Sequence, residues 1–99
     1  MAFPDYLPAV EKKIIGELVR KALAMNYAVS VYDGEEWPLK QSSDYEAITA
    51  EVGATCTTEL RFRKTSDRTR VGDVLLIHGN EEDVISDHTD NPEVAALVS

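Results

Sequence analysis

The chain has little of what usually announces a chemistry. It holds one cysteine, Cys56, in 99 residues, which excludes an intramolecular disulfide and a cysteine-built zinc site. No apolar run approaches the roughly eighteen residues that cross a bilayer. The first residues, MAFPDYLPAVEKK, lack a basic region followed by an apolar stretch, so no signal peptide is expected and a reducing cytoplasm is the expected compartment. Gly34, Gly53, Gly72 and Gly79 are isolated, so no glycine-rich loop opens a helix to cradle phosphate. No Gly-x-Ser-x-Gly elbow exists to present a serine nucleophile. Positive charge is scarce: ten Lys and Arg against eighteen Asp and Glu leave a net charge of −8. That balance disfavours nucleic acid and anionic membranes as partners.

What is present belongs to a folded domain. Hydrophobic residues make up 43% and charged residues 28% of the chain, a balance that supports one core, and the length supports one domain spanning residues 1–99. Leu7, Ile14, Leu18, Ala22 and Met25 recur at the helical period, with Ile15, Val19 and Leu23 beside them. This predicts a helix over 7–25 with an apolar arc wider than one sheet contact needs. Pro8 suits its first turn. Tyr27–Tyr32 alternates as a strand, Asp33-Gly34 reads as a tight turn, and Trp37–Lys40 reads as an edge strand, because Pro38 has no N–H to donate. Ser43-Asp44-Tyr45-Glu46 has a capping-box pattern opening a helix that ends at Gly53, with Tyr45, Ile48 and Val52 inward. Glu59–Lys64 places Leu60 and Phe62 inward and Arg61 and Arg63 outward. Val71–His78 is a long strand, Gly79-Asn80 a turn, and Asp83–Ser86 a further strand. Asn91-Pro92 starts a last, short helix prone to fraying.

The order α-β-β-α-β-β-β-α, with short links between strands, predicts an α+β two-layer domain. An antiparallel sheet of about five strands carries its helices mainly on one face. Val74–Ile77 is apolar on both sides of its strand, so the second face needs cover from a terminal helix or a second subunit.

The stretches YAVSVYDGEEW (27–37) and GNEEDVISDHTDN (79–91) resemble small uncharacterised proteins of proteobacteria and their phages. The resemblance spans most of the chain. It implies a bacterial or phage origin and assigns no activity, cofactor or catalytic residue.

The remaining chemistry is weighed residue by residue. Ser86, Asp87 and His88 are adjacent, but neighbours on a strand point to opposite faces, whereas a triad must converge. His78 and His88, with Asp87 and Asp90, are the candidate metal ligands; no recognised ligand spacing supports them. Arg61, Arg63, Lys64, Arg68 and Arg70 cluster against Asp67 alone, yet Phe62 alternates away from the arginines and reads as core, not as a base-stacking aromatic. The acids Glu35, Glu36, Asp44 and Glu46 and those from Glu81 to Glu93 offer a further alternative, a nucleic-acid mimic that inhibits a basic host protein. Trp37, just past the turn, reads either as an interaction anchor or as packing beneath the hairpin. The leading expectation is a non-enzymatic protein-interaction module, with homodimerisation as one form, acting through Trp37, Glu35, Glu36, Arg61, Arg63, Asp83, Asp87 and Asp90. No cofactor, membrane or nucleic-acid partner is expected. The rival is a metal- or small-ligand-binding enzyme using His78, His88 and nearby acids.

Overall fold

The structure is a computed structural model that describes residues 3–98. Nine elements follow one another: α1 (Ala9–Ala24), β1 (Tyr27–Tyr32), β2 (Leu39–Ser42), α2 (Tyr45–Glu51), β3 (Thr57–Lys64), β4 (Arg70–Ile77), a 3-10 turn (Glu81–Asp83), β5 (Ile85–His88) and α3 (Pro92–Val98). The five strands form one antiparallel sheet in the order β2-β1-β3-β4-β5. The expected α+β fold and element order are observed. Among the described residues no helix is long and apolar enough to cross a membrane.

Strand register decides which residues face the helices. Val29 pairs with Phe62, Val31 with Leu60, and Leu60 with Val74, so these share one face and are fully buried. Ile15, Leu18, Val19 and Ala22 of α1, Ile48 of α2, and Val94 and Leu97 of α3 complete the same core. Burying a side chain such as Phe62 contributes about 2–3 kcal/mol. The wide arc of α1 is used up within the molecule, since the helix touches β1, α2, α3 and the 3-10 turn. Ile14 and Leu23 stay half-buried at its rim. Met25 falls outside the helix and is exposed.

Several boundaries differ from the sequence reading. Leu7 precedes α1 and packs into the core, and Pro8 is the N-cap rather than a first-turn residue. In α2 the cap is Asp44, not Ser43: its side chain accepts the N–H of Glu46. β2 begins at Leu39, after Trp37 and Pro38. The link from β1 is thus a loop rather than a two-residue turn. Asp33 Oδ1 accepts the N–H groups of Glu35 (2.9 Å) and Glu36 (2.8 Å), and this side-chain-built turn replaces the hairpin turn. β5 starts at Ile85, because the 3-10 turn occupies residues 81–83.

α3 is short but docked. Asn91 accepts the N–H of Val94 at 2.8 Å and donates to the carbonyl of Val71. Gly72 permits the close approach of helix to strand: a Cβ there would lie 2.6 Å from Val94 Cγ2 and 2.9 Å from Thr89 Cβ. All three helices therefore pack on one face, and the terminal helix does not cover the other. Gly72→Ala is expected to lower unfolding free energy by about 1–3 kcal/mol, read from urea denaturation, by prising α3 off β4.

Candidate functional site

Two polar assemblies stand out, one buried and one on the open face of the sheet. The buried one centres on Glu11 of α1, a carboxyl side chain with no solvent exposure. Its Oε2 accepts the N–H groups of Gly79 and Glu81, both at 3.0 Å. Its Oε1 lies 3.4 Å from His78 Nδ1, and neither atom has another hydrogen-bond partner. His78 Nε2 is 2.8 Å from Thr58 Oγ1, which accepts the N–H of Gly53 at 3.0 Å. With the ring proton on Nδ1, Thr58 donates to Nε2, while Nδ1 and Glu11 Oε1 face each other without a formed hydrogen bond. Acid, imidazole and hydroxyl stand in line, as a nucleophilic triad requires. Thr58, however, is 1% exposed, so no substrate reaches its oxygen. The chemistry here is structural: it ties α1 to the β4–β5 connection and β4 to the α2–β3 loop.

The open face is built from the alternate positions of the strands. Ser30 and Tyr32 of β1, Glu59, Arg61 and Arg63 of β3, Asp73 and Leu75 of β4 and Asp87 of β5 share it by register. Trp37 folds onto it from the β1–β2 loop. Its ring centroid lies 4.8 Å from that of Tyr32, and the Arg61 guanidinium sits 4.7 Å from its centroid. Arg61 Nε also bonds Asp73 Oδ1 at 3.1 Å, and Arg70 pairs with the same carboxylate. The Asp33 turn holds Trp37 in place, and the two N–H groups that bond Asp33, Glu36 first, keep its carboxyl below the usual range. Apolar carbon on this face is half-covered rather than bare: Tyr32, Trp37, Leu75 and Ile77 are each partly buried.

Two open clefts flank this centre. One, of about 210 Å³, is lined by Lys40, Arg61 and Arg63 with Ser30, Trp37 and Gln41, and contains no carboxylate. The other, of about 280 Å³, is lined by Glu59, Asp73 and Asp87 with Leu75, His88 and Thr89, and contains no Lys or Arg. Partial burial, with Asp73 beside it, pushes the Glu59 carboxyl above its usual range.

The expected site residues are divided between places. Trp37, Arg61, Arg63 and Asp87 share the open face. Glu35 and Glu36 are exposed in the loop beside it, Asp83 in the 3-10 turn, and Asp90 beyond β5. His78 and His88 are not brought together. His88 pairs with Val74, four residues before His78 on the neighbouring strand, a separation of about 13 Å along β4, and its Nδ1 is engaged by the carbonyl of Thr89. Among the described residues no group of three or more His, Cys, Asp or Glu could hold a metal ion. Ser86 and Asp87 alternate along β5 and do not converge with His88. Sequence alternation placed Tyr32 opposite Val29 and Val31 and turned Glu59 outward with Arg61 and Arg63, but did not count either in the site; Lys40 and Asp73 were missed altogether. Sequence reasoning also missed Glu11, whose place in the middle of the apolar arc of α1 was the clue.

No family model, curated protein or solved structure matches this chain.

Each assembly generates a test. Glu11→Ala strands two N–H groups and an imidazole in the interior and is expected to cost about 3–5 kcal/mol. Glu11→Gln, which keeps an acceptor for both N–H groups, is expected to cost less than half as much in the same urea titration. For Glu59 the raised value means that the folded state holds the proton more tightly than the unfolded chain. The associated stability is complete below the ordinary Glu range and is lost as pH rises through the raised value. In the monomeric chain, at high dilution, Glu59→Gln is expected to raise Tm by a few degrees at neutral pH and to leave it unchanged below about pH 3.

Proposed function

We propose that this chain is a non-enzymatic protein-interaction module that binds its partner through the open face of the sheet. The observation that carries the reading is the stack of Tyr32, Trp37 and Arg61 at the middle of that face, flanked by one cationic and one anionic cleft. Trp, Tyr and Arg are the side chains that most often dominate binding energy. They bring large contact area at small entropic cost and retain a polar handle. Here they are held in position before any partner arrives. The Asp33 turn fixes the loop that carries Trp37, and Asp73 fixes Arg61, which lowers the ordering cost of association.

Other classes fit the face less well. Single-stranded nucleic acid wants a free aromatic face and a continuous cationic track. Trp37 is already engaged by Tyr32 and Arg61, and Glu59, Asp73 and Asp87 interrupt the track. A nucleic-acid mimic wants carboxylates in unbroken array, whereas here Arg61, Arg63 and Arg70 lie among them. An enzyme using His78 and His88 needs the two imidazoles within reach of one substrate, and they serve separate contacts.

The reading is tested by placing a photo-crosslinking phenylalanine analogue at Leu75, within the open face, or at Lys13, exposed on α1, in cells that make the protein. Discrete covalent adducts are expected from position 75 and not from position 13. Trp37→Ala is expected to weaken the capture by about 2 kcal/mol in binding free energy while leaving the circular dichroism unchanged. Equal, diffuse labelling from both positions would count against the reading.

A further inference from the structure

We propose that the partner seated on this face is a second copy of the same chain, related by a two-fold axis that runs parallel to the sheet, midway between the two open faces. The inference rests on the interaction reading and adds the identity of the occupant. What points to it is that the face complements itself. In the cationic cleft Lys40 and Arg63 have no carboxylate partner among the described residues; Arg63 bonds only the carbonyl of Arg68. In the anionic cleft Glu59 and Asp87 form no ion pair with Lys or Arg among the described residues, although Arg61 and Arg70 lie near Glu59, and Asp73 is occupied by those two arginines. Two cations without a carboxylate partner thus stand on the same surface as two carboxylates without an ion-pair partner, with the Arg61–Asp73–Arg70 cluster between them.

The register supplies the geometry. Arg63 lies four residues along β3 from Glu59, and Lys40 and Asp87 lie on the two outermost strands of the sheet, β2 and β5. Such an axis, passing obliquely across β3 near Arg61, brings Lys40 of one copy towards Glu59 of the other and Arg63 towards Asp87, within reach of their long side chains. Every such contact is made twice, as an isologous interface requires. The stack of Tyr32, Trp37 and Arg61 then lies near the axis, where water is excluded best. A sheet of five strands at about 4.8 Å spacing and up to eight residues in length offers a face of roughly 20 by 25 Å. That is roughly 500 Å² in projection, to which side-chain relief, Trp37 and the loop beside it add, against ~800 Å² per partner in a standard interface. Sheets packed face to face are a standard arrangement. A foreign partner with one sign of charge would be repelled by one of the two clefts; a second copy carries both in the matching places.

The test is a charge exchange read by sedimentation velocity. The native chain is expected to sediment as a dimer at micromolar concentration, and its dissociation constant is expected to rise with salt. Lys40→Glu with Arg63→Glu, and separately Glu59→Lys with Asp87→Lys, are each expected to raise that constant about ten-fold or more. Mixing the two double variants in equal amounts is expected to restore the dimer as a heterodimer. All four positions are at the surface, so native circular dichroism of each variant serves as the folding control. A dimer insensitive to both double variants, or variants that remain monomeric when mixed, would overturn the proposal. A monomeric native chain that still forms adducts with other polypeptides from position 75 would overturn the second copy while leaving the interaction reading in place. Absence of both dimer and adducts would remove the two together.

Discussion

A sheet covered on one face only must make its other face tolerate water, and this constraint shapes most of the molecule. α1, α2 and α3 all pack on the side of Val29, Leu60, Phe62, Val74 and Leu76. The opposite side is shielded by its own long side chains. Arg61 lies against Trp37, Trp37 against Tyr32, and Asp73 locks the guanidinium. A guanidinium on an indole covers apolar carbon while keeping its charge hydrated. The arrangement that makes the face soluble is also the one that makes it a recognition surface, because it presents aromatic and cationic groups already ordered.

The buried Glu11 plays a complementary part on the helix side. A helix lying across a sheet can slide if only apolar side chains hold it, since dispersion and hydrophobic contacts have little direction. Glu11 adds direction. Its two short hydrogen bonds to Gly79 and Glu81 fix α1 along its axis relative to the β4–β5 connection. His78 and Thr58 extend the tie to the α2–β3 loop. The cost is a carboxyl removed from water, offset by N–H donors that would otherwise be unpaired in the same interior. This tie also accounts for the left-handed backbone at Glu81, with φ at 53°, an unusual conformation for a residue other than glycine.

Regular elements were legible because they rest on local periodicity. The alternation of Leu60 and Phe62 against Arg61 and Arg63, the Asn91-Pro92 start of α3 and the element order all follow from short-range pattern, and the observed sheet agrees with them. The misses fall where a distant group intervenes. The tight turns expected at Asp33-Gly34 and Gly79-Asn80 became longer loops. In the first, Asp33 recruits the N–H groups of Glu35 and Glu36; in the second, Glu11 recruits those of Gly79 and Glu81, about seventy residues away in sequence. The apolar excess expected on α1 shrank to a half-buried rim because α2, α3 and the 3-10 turn all reach it.

The candidate site divides in the same way. Sequence alone determined that Arg61 and Arg63 face away from Phe62, that the chain is strongly acidic with a basic segment near its middle, and that Val74–Ile77 is apolar on both faces. Those are properties of spacing and composition, which no tertiary contact alters. Only the tertiary structure decided that Trp37 meets Arg61, that Lys40 joins the arginines while Glu59, Asp73 and Asp87 gather beside them, and that the terminal helix leaves this face open. Each of these depends on strand order and register, which bring residues far apart in sequence within a few ångströms, and local pattern carries no information about such pairings.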